Sequence, residues 1–399
     1  MKKLLLLFLI LLLGGVIYYF YFVKEEKEVK KQVKIIDDYS QYIKTTKEKK
    51  LYDSSYKEIG VLNKDIDLEL DEKKKNNKKL YYHIKDTDYY IMNGDITKID
   101  PFIINDRYKR YVLFNKNIVG SNISFYSDNR YVFKINENVN LPIIIDDNNK
   151  LYVEFLNRLV YVNKNDIKIV DHTNRDEKIR DNIRTFTYHA IFKDGEPCKN
   201  KVICHPYKQF DTHMGYLAKN NYLTLTMEEL EMFLDKKINI PMKSVVITLD
   251  DGNLAQNAIE ILDKYKLYAT YFIITGKYDT YKLKTDYVDF ESHTDDMHHN
   301  WKCPGGNQGG QILCESEENV LKDLKTSQEK LGGAKYLSYP FFDFNDRAIR
   351  LLKKAGFHLA FIGQYDSEGY SNFNTDRFKL RRKTIFNDDS LDTFISYLK

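Results

Sequence analysis

The chain has 399 residues, more than one average domain needs and enough for two or three. Its 62 Lys and Arg against 58 Asp and Glu leave a formal net charge of +4, which excludes a dedicated nucleic-acid binder, because phosphate contacts need a concentrated basic excess. A content of 43% hydrophobic residues likewise excludes a chain disordered throughout.

An uncharged run at residues 4–23 follows Lys2 and Lys3 and precedes the charged stretch 24–31. As a helix it is about 30 Å long, the thickness of a bilayer core. It is a membrane anchor or a signal peptide. Its end, Tyr18, Tyr19, Phe20, Tyr21 and Phe22, suits a membrane interface better than a small-residue cleavage site and favours an uncleaved anchor. Lys24, Lys27, Lys30 and Lys31 outnumber Lys2 and Lys3, which taken alone keeps the body of the protein in the cytoplasm. A long C-terminal domain overrides that bias, and the cysteines favour export. The expectation is a single-pass cell-membrane protein with its catalytic domain extracytoplasmic.

After a charged linker at 24–44, residues 51–171 show short alternating runs rich in Tyr, Ile and Val, broken by Asn, Asp and Gly, the pattern of small all-β modules. They contain a repeat. Leu51-Tyr52 with Val61 and Leu68 recurs as Phe125-Tyr126 with Ile135 and Leu141, and Tyr90-Ile91 recurs as Tyr161-Val162. Two modules, 45–104 and 105–172, follow from this. Their pattern resembles bacterial Src-homology-3-like wall-binding modules, which implies cell-wall glycan or peptide binding; a spacer role is equally open.

Beyond residue 171 apolar strands alternate with amphipathic helices. Strands are predicted at 186–191, 244–251, 268–275, 287–290, 336–339, 359–362 and 378–385, and helices at 253–265, 316–331 and 345–354. Repeated strand-helix units predict an α/β fold with a parallel sheet or barrel and working residues at the carboxyl ends of the strands.

Two segments carry chemistry. The run Val245-Val246-Ile247-Thr248-Leu249-Asp250-Asp251-Gly252 delivers adjacent carboxylates at the end of an apolar strand, where they repel each other and lose solvation unless a cation is near. The segment Glu291-Ser292-His293-Thr294-Asp295-Asp296-Met297-His298-His299 follows the next strand but one, and its histidines at 293 and 298 can converge on one ion. A carboxylate with two imidazoles and a position left for water is the pattern of a hydrolytic divalent-metal site, most often Zn²⁺.

Thr248-Leu249-Asp250-Asp251-Gly252 and the His293-Thr294 with His298 pair resemble the motifs of the NodB-like polysaccharide deacetylases, the family-four carbohydrate esterases. Tyr188-His189, 217–222, Leu225-Thr226, Tyr339-Pro340-Phe341 and Asn345-Asp346 match in order, over about residues 184–398. The His spacing and the Tyr-His pair resemble the subgroup that includes poly-N-acetylglucosamine deacetylases. The resemblance implies a distorted (β/α) barrel at 184–399 and removal of N-acetyl groups from peptidoglycan or poly-N-acetylglucosamine. Asp250 is then the general base, Asp251, His293 and His298 the metal ligands, and Tyr339 and Pro340 part of the substrate site.

Three positions depart from the family pattern. Arg382 stands in Leu380-Arg381-Arg382 where the better-known subgroup has a His that acts as general acid, and arginine does not deprotonate near neutral pH. The resemblance offers His189 instead; read from the residue alone, a core histidine stays open. Ser338 stands where much of the family has an Arg that orients the base, and Phe342 replaces a common Gly. These departures keep a second reading open, a wall-binding protein with little catalytic activity, and an O-acetyl esterase is a third. His172, His205, His213, His299 and His358 are read as structural or solvated, and Asp295 and Asp296 as orienting the histidine ligands or as a solvated turn. The spacing of Cys198, Cys204, Cys303 and Cys314 lacks the C-x-x-C of a zinc site and suits two local disulfides, the second stapling a Gly-rich lid. Trp301, at the start of that segment, is placed to stack on a sugar ring or to anchor the loop.

Overall fold

The computed structural model describes residues 41–112, 114–172, 180–198, 202–283, 285–363 and 368–399. The predicted anchor lies outside them. Among the described residues no helix is long and apolar enough to cross a membrane.

The described chain forms two compact units. One comprises the chain through Ile104 with Gly120–Val139 and Phe155–Val162; the other comprises Asn105–Val119, Asn140–Glu154 and Asn163–Lys399. The first is built of antiparallel strands, as its alternating sequence predicts. Lys49–Tyr52 pairs with Glu58–Leu62 and with Tyr90–Met92, and Ile123–Ser127 pairs in the same way with Arg130–Ile135 and, through Tyr161, with Arg158–Asn163. The sequence repeat is therefore also a repeat of strand pairing.

In the second unit nine strands form one sheet. In chain order they are β1 (Asn182–Tyr188), β2 (Leu223–Thr224), β3 (Ser244–Asp251), β4 (Ala269–Ile273), β5 (Val288–Ser292), β6 (Tyr336–Ser338), β7 (Leu359–Phe361), β8 (Tyr370–Asn372) and β9 (Lys383–Thr384). Strands β1, β3, β4, β5, β6 and β7 lie side by side and parallel, and β8 adds an antiparallel edge to β1. β3 is buried along its length except at Asp251, which fits its unbroken apolar run. The expected strand at 378–385 shrinks to β9 and one bridge, with Leu380, Lys383 and Thr384 entering β pairing. Leu380 bridges Phe361 of β7 while β9 pairs with β1, so residues 380–384 join the two sides of the curled sheet.

Among the described residues six helices accompany the strands: α1 (Tyr207–Lys219), α2 (Met227–Leu234), α3 (Ala255–Tyr265), α4 (Glu317–Lys330), α5 (Asp346–Ala355) and α6 (Leu391–Tyr397). Their ends follow capping chemistry. Thr226 and Glu229 form a reciprocal capping box on α2, Asn345 accepts the Ala348 N–H at 2.8 Å, and Gly356, with φ +86°, ends α5. Helices α1, α2 and α6 lie outside the predicted set, since their apolar positions are interrupted by polar ones. Glu229 also anchors an earlier part of the chain: Arg107 forks onto its carboxylate, and Tyr111 donates to it at 2.7 Å.

Phe186, Tyr188, Phe210, Ile247 and Leu262 belong to one core cluster, and Leu337, Tyr339, Leu351 and Leu352 to a second. In the first, His213 stacks on Phe394 with centroids 4.3 Å apart and meets the Tyr188 hydroxyl at 3.1 Å. Burial pushes His205 down to about 3 and His213 down to about 4, so both are neutral in the folded chain. Their contribution to stability is complete above the ordinary histidine pKa and is lost as the pH falls below it. Between pH 7.5 and 5 the expected loss is roughly 2 kcal/mol per histidine. Thermal unfolding at the two pH values should show it, and His213→Phe, which keeps the stack on Phe394, should remove about half of the difference.

Candidate active site

The site is assembled at the carboxyl ends of β3, β5 and β6. Successive residues of a strand point to opposite faces, so Asp250 and Asp251 cannot share one environment while the strand continues. Asp250 points into the curled sheet and is fully buried, 1% exposed. Asp251 leaves the strand with φ +76°, a left-handed conformation that costs on the order of 1–3 kcal/mol for a non-glycine residue and is concentrated at functional sites. Gly252 continues the turn at φ +114°, where an added Cβ would lie 2.8 Å from Ile273 Cγ1 and 2.9 Å from Tyr278 Cδ2.

This turn carries the Asp251 carboxylate toward two imidazoles. Oδ1 lies 3.5 Å from His293 Nε2 and 3.4 Å from His298 Nε2, and the three potential ligand atoms lie within 4.8 Å of one another. The His293 Nδ1 is 2.8 Å from the Ser338 carbonyl oxygen, a contact that needs the proton on Nδ1. In a neutral ring that leaves the Nε2 lone pair facing a carboxylate oxygen, two acceptors at short range. A cation between them resolves the conflict, so the donor set fits a divalent metal with positions to spare. Burial pulls the His293 pKa down, but Asp250 and Asp251 together push it above the ordinary value. Burial, helped by His293, holds His298 down at about 4. Burial raises the Asp251 carboxyl and the three histidines around it more than reverse that, leaving it well below the usual range.

Asp250 has a different partner. Arg382 Nη1 and Nη2 donate to its Oδ1 and Oδ2, both at 2.7 Å, and Ser338 Oγ donates to Oδ2 at 3.0 Å while accepting from Arg382 Nη2 at 2.7 Å. Arg382 also reaches Thr248 Oγ1 at 3.3 Å and lies 5.3 Å from the ring centre of Phe342. Its guanidinium is wholly buried. A forked arginine is the one basic side chain that satisfies both carboxylate oxygens at once. Burial pushes the Asp250 pKa up, but Arg382 overrides it and holds the carboxyl below the usual range, ionised and fixed in orientation. The two departures at 338 and 382 therefore belong together. The arginine on the last segment takes up the carboxylate, and a serine on β6 completes it.

His189 follows β1 and faces the same cavity of about 200 Å³, with Asp250, Asp251, His293, His298, Ile203, Gln308, Phe341, Phe342 and Thr384. It is 9% exposed, its Nδ1 has no hydrogen-bond partner among the described residues, and burial lowers its pKa. Phe341 packs on the His298 ring with centroids 4.2 Å apart. Phe341 and Phe342 both have φ +59°, which accounts for a glycine being favoured at the second position.

Other predicted residues lie elsewhere. Tyr339 is fully buried among Leu337 and Leu351, its N–H donates to the Phe361 carbonyl, and neither it nor Pro340 lines the cavity. Trp301 is 51% exposed and also outside the lining. Cys198–Cys204 and Cys303–Cys314 are both bonded. Asp295 pairs with Lys330 at 2.6 Å and Asp296 with His299 at 3.2 Å, so neither orients His293 or His298. That task falls to Asp323 on α4, which the sequence reading passes over: its carboxylate accepts the N–H groups of Asp295 and Asp296 at 2.8 and 2.7 Å and holds the turn between the histidines. Solvated helix carboxylates are common, and nothing local in the sequence distinguishes this one. His358 lies on the surface against Glu231 at 2.9 Å.

A curled parallel sheet with an Asp-His-His cluster and a clamped carboxylate at its strand ends is an arrangement suited to metal-assisted hydrolysis. The sequence profile of the polysaccharide deacetylase family matches residues 237–360. It is similar to the poly-beta-1,6-N-acetyl-D-glucosamine N-deacetylase of Staphylococcus aureus strain MRSA252, 31% identical over 201 residues, covering 45% of this chain and 66% of the relative. The Staphylococcus epidermidis protein of the same name is 29% identical over 203 residues, 45% of this chain and 68% of that one. The match thus spans just under two thirds of the length of the Staphylococcus aureus relative. Among solved structures, the Streptococcus pyogenes deacetylase PplD is 20% identical with a TM-score of 0.44, covering 55% of this chain and 98% of its own. A Bacillus cereus polysaccharide deacetylase is 16% identical with a TM-score of 0.45, covering 91% and 93%.

Proposed function

We propose that the chain is an extracytoplasmic, membrane-anchored hydrolase that removes N-acetyl groups from a glucosamine-containing polysaccharide. The observation that carries this reading is the division of labour at the end of β3, where Asp251 faces two imidazoles and Asp250 is held ionised by Arg382 and Ser338. The names of the staphylococcal relatives favour poly-β-1,6-N-acetylglucosamine as the polymer. The apolar run at 4–23 and the two disulfides support the location.

Asp251, His293 and His298 would hold the metal, Zn²⁺ being the ion best matched to two imidazoles, one carboxylate and an open position. When bound, it supplies Lewis acidity to a water and to the acetamide carbonyl. Asp250 does not ligate; its ionised carboxylate takes the proton of the attacking water. Arg382 cannot protonate the departing amine; His189, which lines the same cavity, gives that nitrogen a proton of its own as the C–N bond breaks, and the proton left on Asp250 and the one lost by His189 are then restored by exchange with solvent. Phe341 fixes the His298 ring and walls the cavity against bulk water.

The test is acetate release from acetylated glucosamine oligomers. Activity should vanish with a chelator and return with Zn²⁺. A zinc-loaded chain that releases acetate from O-acetylated xylan and none from N-acetylated glycans overturns the amide reading in favour of an esterase.

A further inference from the structure

Building on the deacetylase reading, we propose that the Gly-rich segment between Cys303 and Cys314 is a fixed substrate-selecting wall, in which Asp343 is a positioning residue and Gln308 the group that touches the sugar. Its glycines suggest a mobile lid, but the hydrogen bonds say otherwise. The Asp343 carboxylate, 1% exposed, accepts backbone N–H groups from three residues of the segment: Asn307, Gln308 at 3.2 Å to either oxygen, and Gly310 at 2.6 Å. Convergent amides are a sound way to hold a buried carboxylate, and they lock the donors in turn.

The glycines are what permit that approach. At Gly306 an added Cβ would lie 2.3 Å from Leu313 Cδ1 and 2.5 Å from Asp343 Oδ1; at Gly310, 3.1 Å from Asp343 Oδ2. Gly309 has φ +75°, and a Cβ there would lie 2.7 Å from Lys302 Cα. Its carbonyl accepts the N–H groups of both Trp301 and Cys303 at 3.0 Å. The segment is thus tied at both sides, by Asp343 and by its own base, and the Cys303–Cys314 bond closes it.

What the clamp presents is Gln308. Its side chain lines the catalytic cavity beside His298 and Phe341, it is exposed, and its side-chain amide has no partner among the described residues. Of the other polar groups of the cavity, Asp250 is committed to Arg382, His293 to the Ser338 carbonyl and Asp251 to the histidine pair, whereas the unpartnered atoms His189 Nδ1 and Thr384 Oγ1 are buried. A carboxamide carries both a donor and an acceptor, the match for a sugar hydroxyl or the acetamide of an N-acetylated unit. At about 200 Å³ the cavity is below the usual range for ligand sites and admits a single unit. Asp343 directly follows Phe341 and Phe342, so one short turn supplies both the apolar wall and the anchor of the polar one.

The experiment uses the zinc-loaded full chain. Gln308→Ala, an exposed position that should fold normally, is expected to raise KM for N-acetylglucosamine oligomers about tenfold, with a much smaller change in kcat. Asp343→Asn should raise KM similarly and also accelerate amide hydrogen exchange at Asn307, Gln308 and Gly310, which a role limited to packing elsewhere would not do. Unchanged KM in Gln308→Ala, or wild-type exchange in Asp343→Asn, overturns the proposal. If the wild type releases no acetate from any N-acetylated glycan, the deacetylase reading fails by itself. Calorimetry of oligomer binding then decides this one: about tenfold weaker binding by Gln308→Ala sustains it, and equal binding removes it.

Discussion

Asp250→Asn is expected to lower kcat for acetate release by about three orders of magnitude, within the range by which general bases contribute, while zinc content per folded chain stays at the wild-type level. The separation follows from geometry. The cluster suited to the metal uses Asp251, His293 and His298, whereas Asp250, in the same cavity, makes its contacts with Arg382 and Ser338. Asparagine keeps the shape and one acceptor oxygen but has no useful basicity. It also leaves the wholly buried Arg382 without its counter-charge, a loss on the order of 3–5 kcal/mol in stability. Activity is therefore to be expressed per zinc-bound, folded chain. Near-normal turnover by that measure would mean that the water's proton goes elsewhere, with His189 the remaining candidate in the cavity.

Much of this site is readable from adjacent letters. Asp250 with Asp251, and His293 with His298, lie in short segments where one strand end or one turn fixes their proximity, so their residue types and spacing already imply an ion. Arg382 and Ser338 are legible only as two unrelated departures. Their meeting depends on Leu380 bridging β7 while β9 pairs with β1, contacts that bring together residues 44 apart in sequence and that no local pattern encodes. The same holds for Asp343 and the Gln308 segment, 35 residues apart, and for Asp323 with the His turn, 28 residues from Asp295. Tyr339 shows how little a motif says of orientation: its ring lies in the core, and it is Phe341, two residues on, that lines the cavity. In the fold, long apolar runs such as 244–251 are unambiguous, whereas 378–385 reads as a strand yet enters β pairing only at Leu380, Lys383 and Thr384.

Arg382→Met tests whether the paired departures form one working unit. Removing the guanidinium leaves Asp250 buried beside Ser338 alone, with burial, which raises its pKa, no longer opposed by the forked arginine. The carboxyl then protonates more readily, so the acid limb of the kcat/KM profile should move to higher pH, and activity at neutral pH should fall about a hundredfold, as expected when a catalytic group loses both its charge state and its orientation. Stability should change sign in its pH dependence. In the wild type the Asp250 pKa lies below its unfolded value, so its contribution is present above that value and is lost as the pH falls. In Arg382→Met it lies above, and stability instead declines as the pH rises through that range. Arg382→Lys retains a charge but reaches one oxygen at a time, and should fall between the two. Ser338→Arg on the Arg382→Met background supplies the guanidinium from β6, the side from which much of the family provides it, and should recover part of the loss along with the lower acid limb. If Arg382→Met keeps the wild-type pH profile, the arginine is a core residue that happens to lie against Asp250. If the double variant recovers the profile, what the chemistry requires is a cation on that carboxylate, whichever strand delivers it.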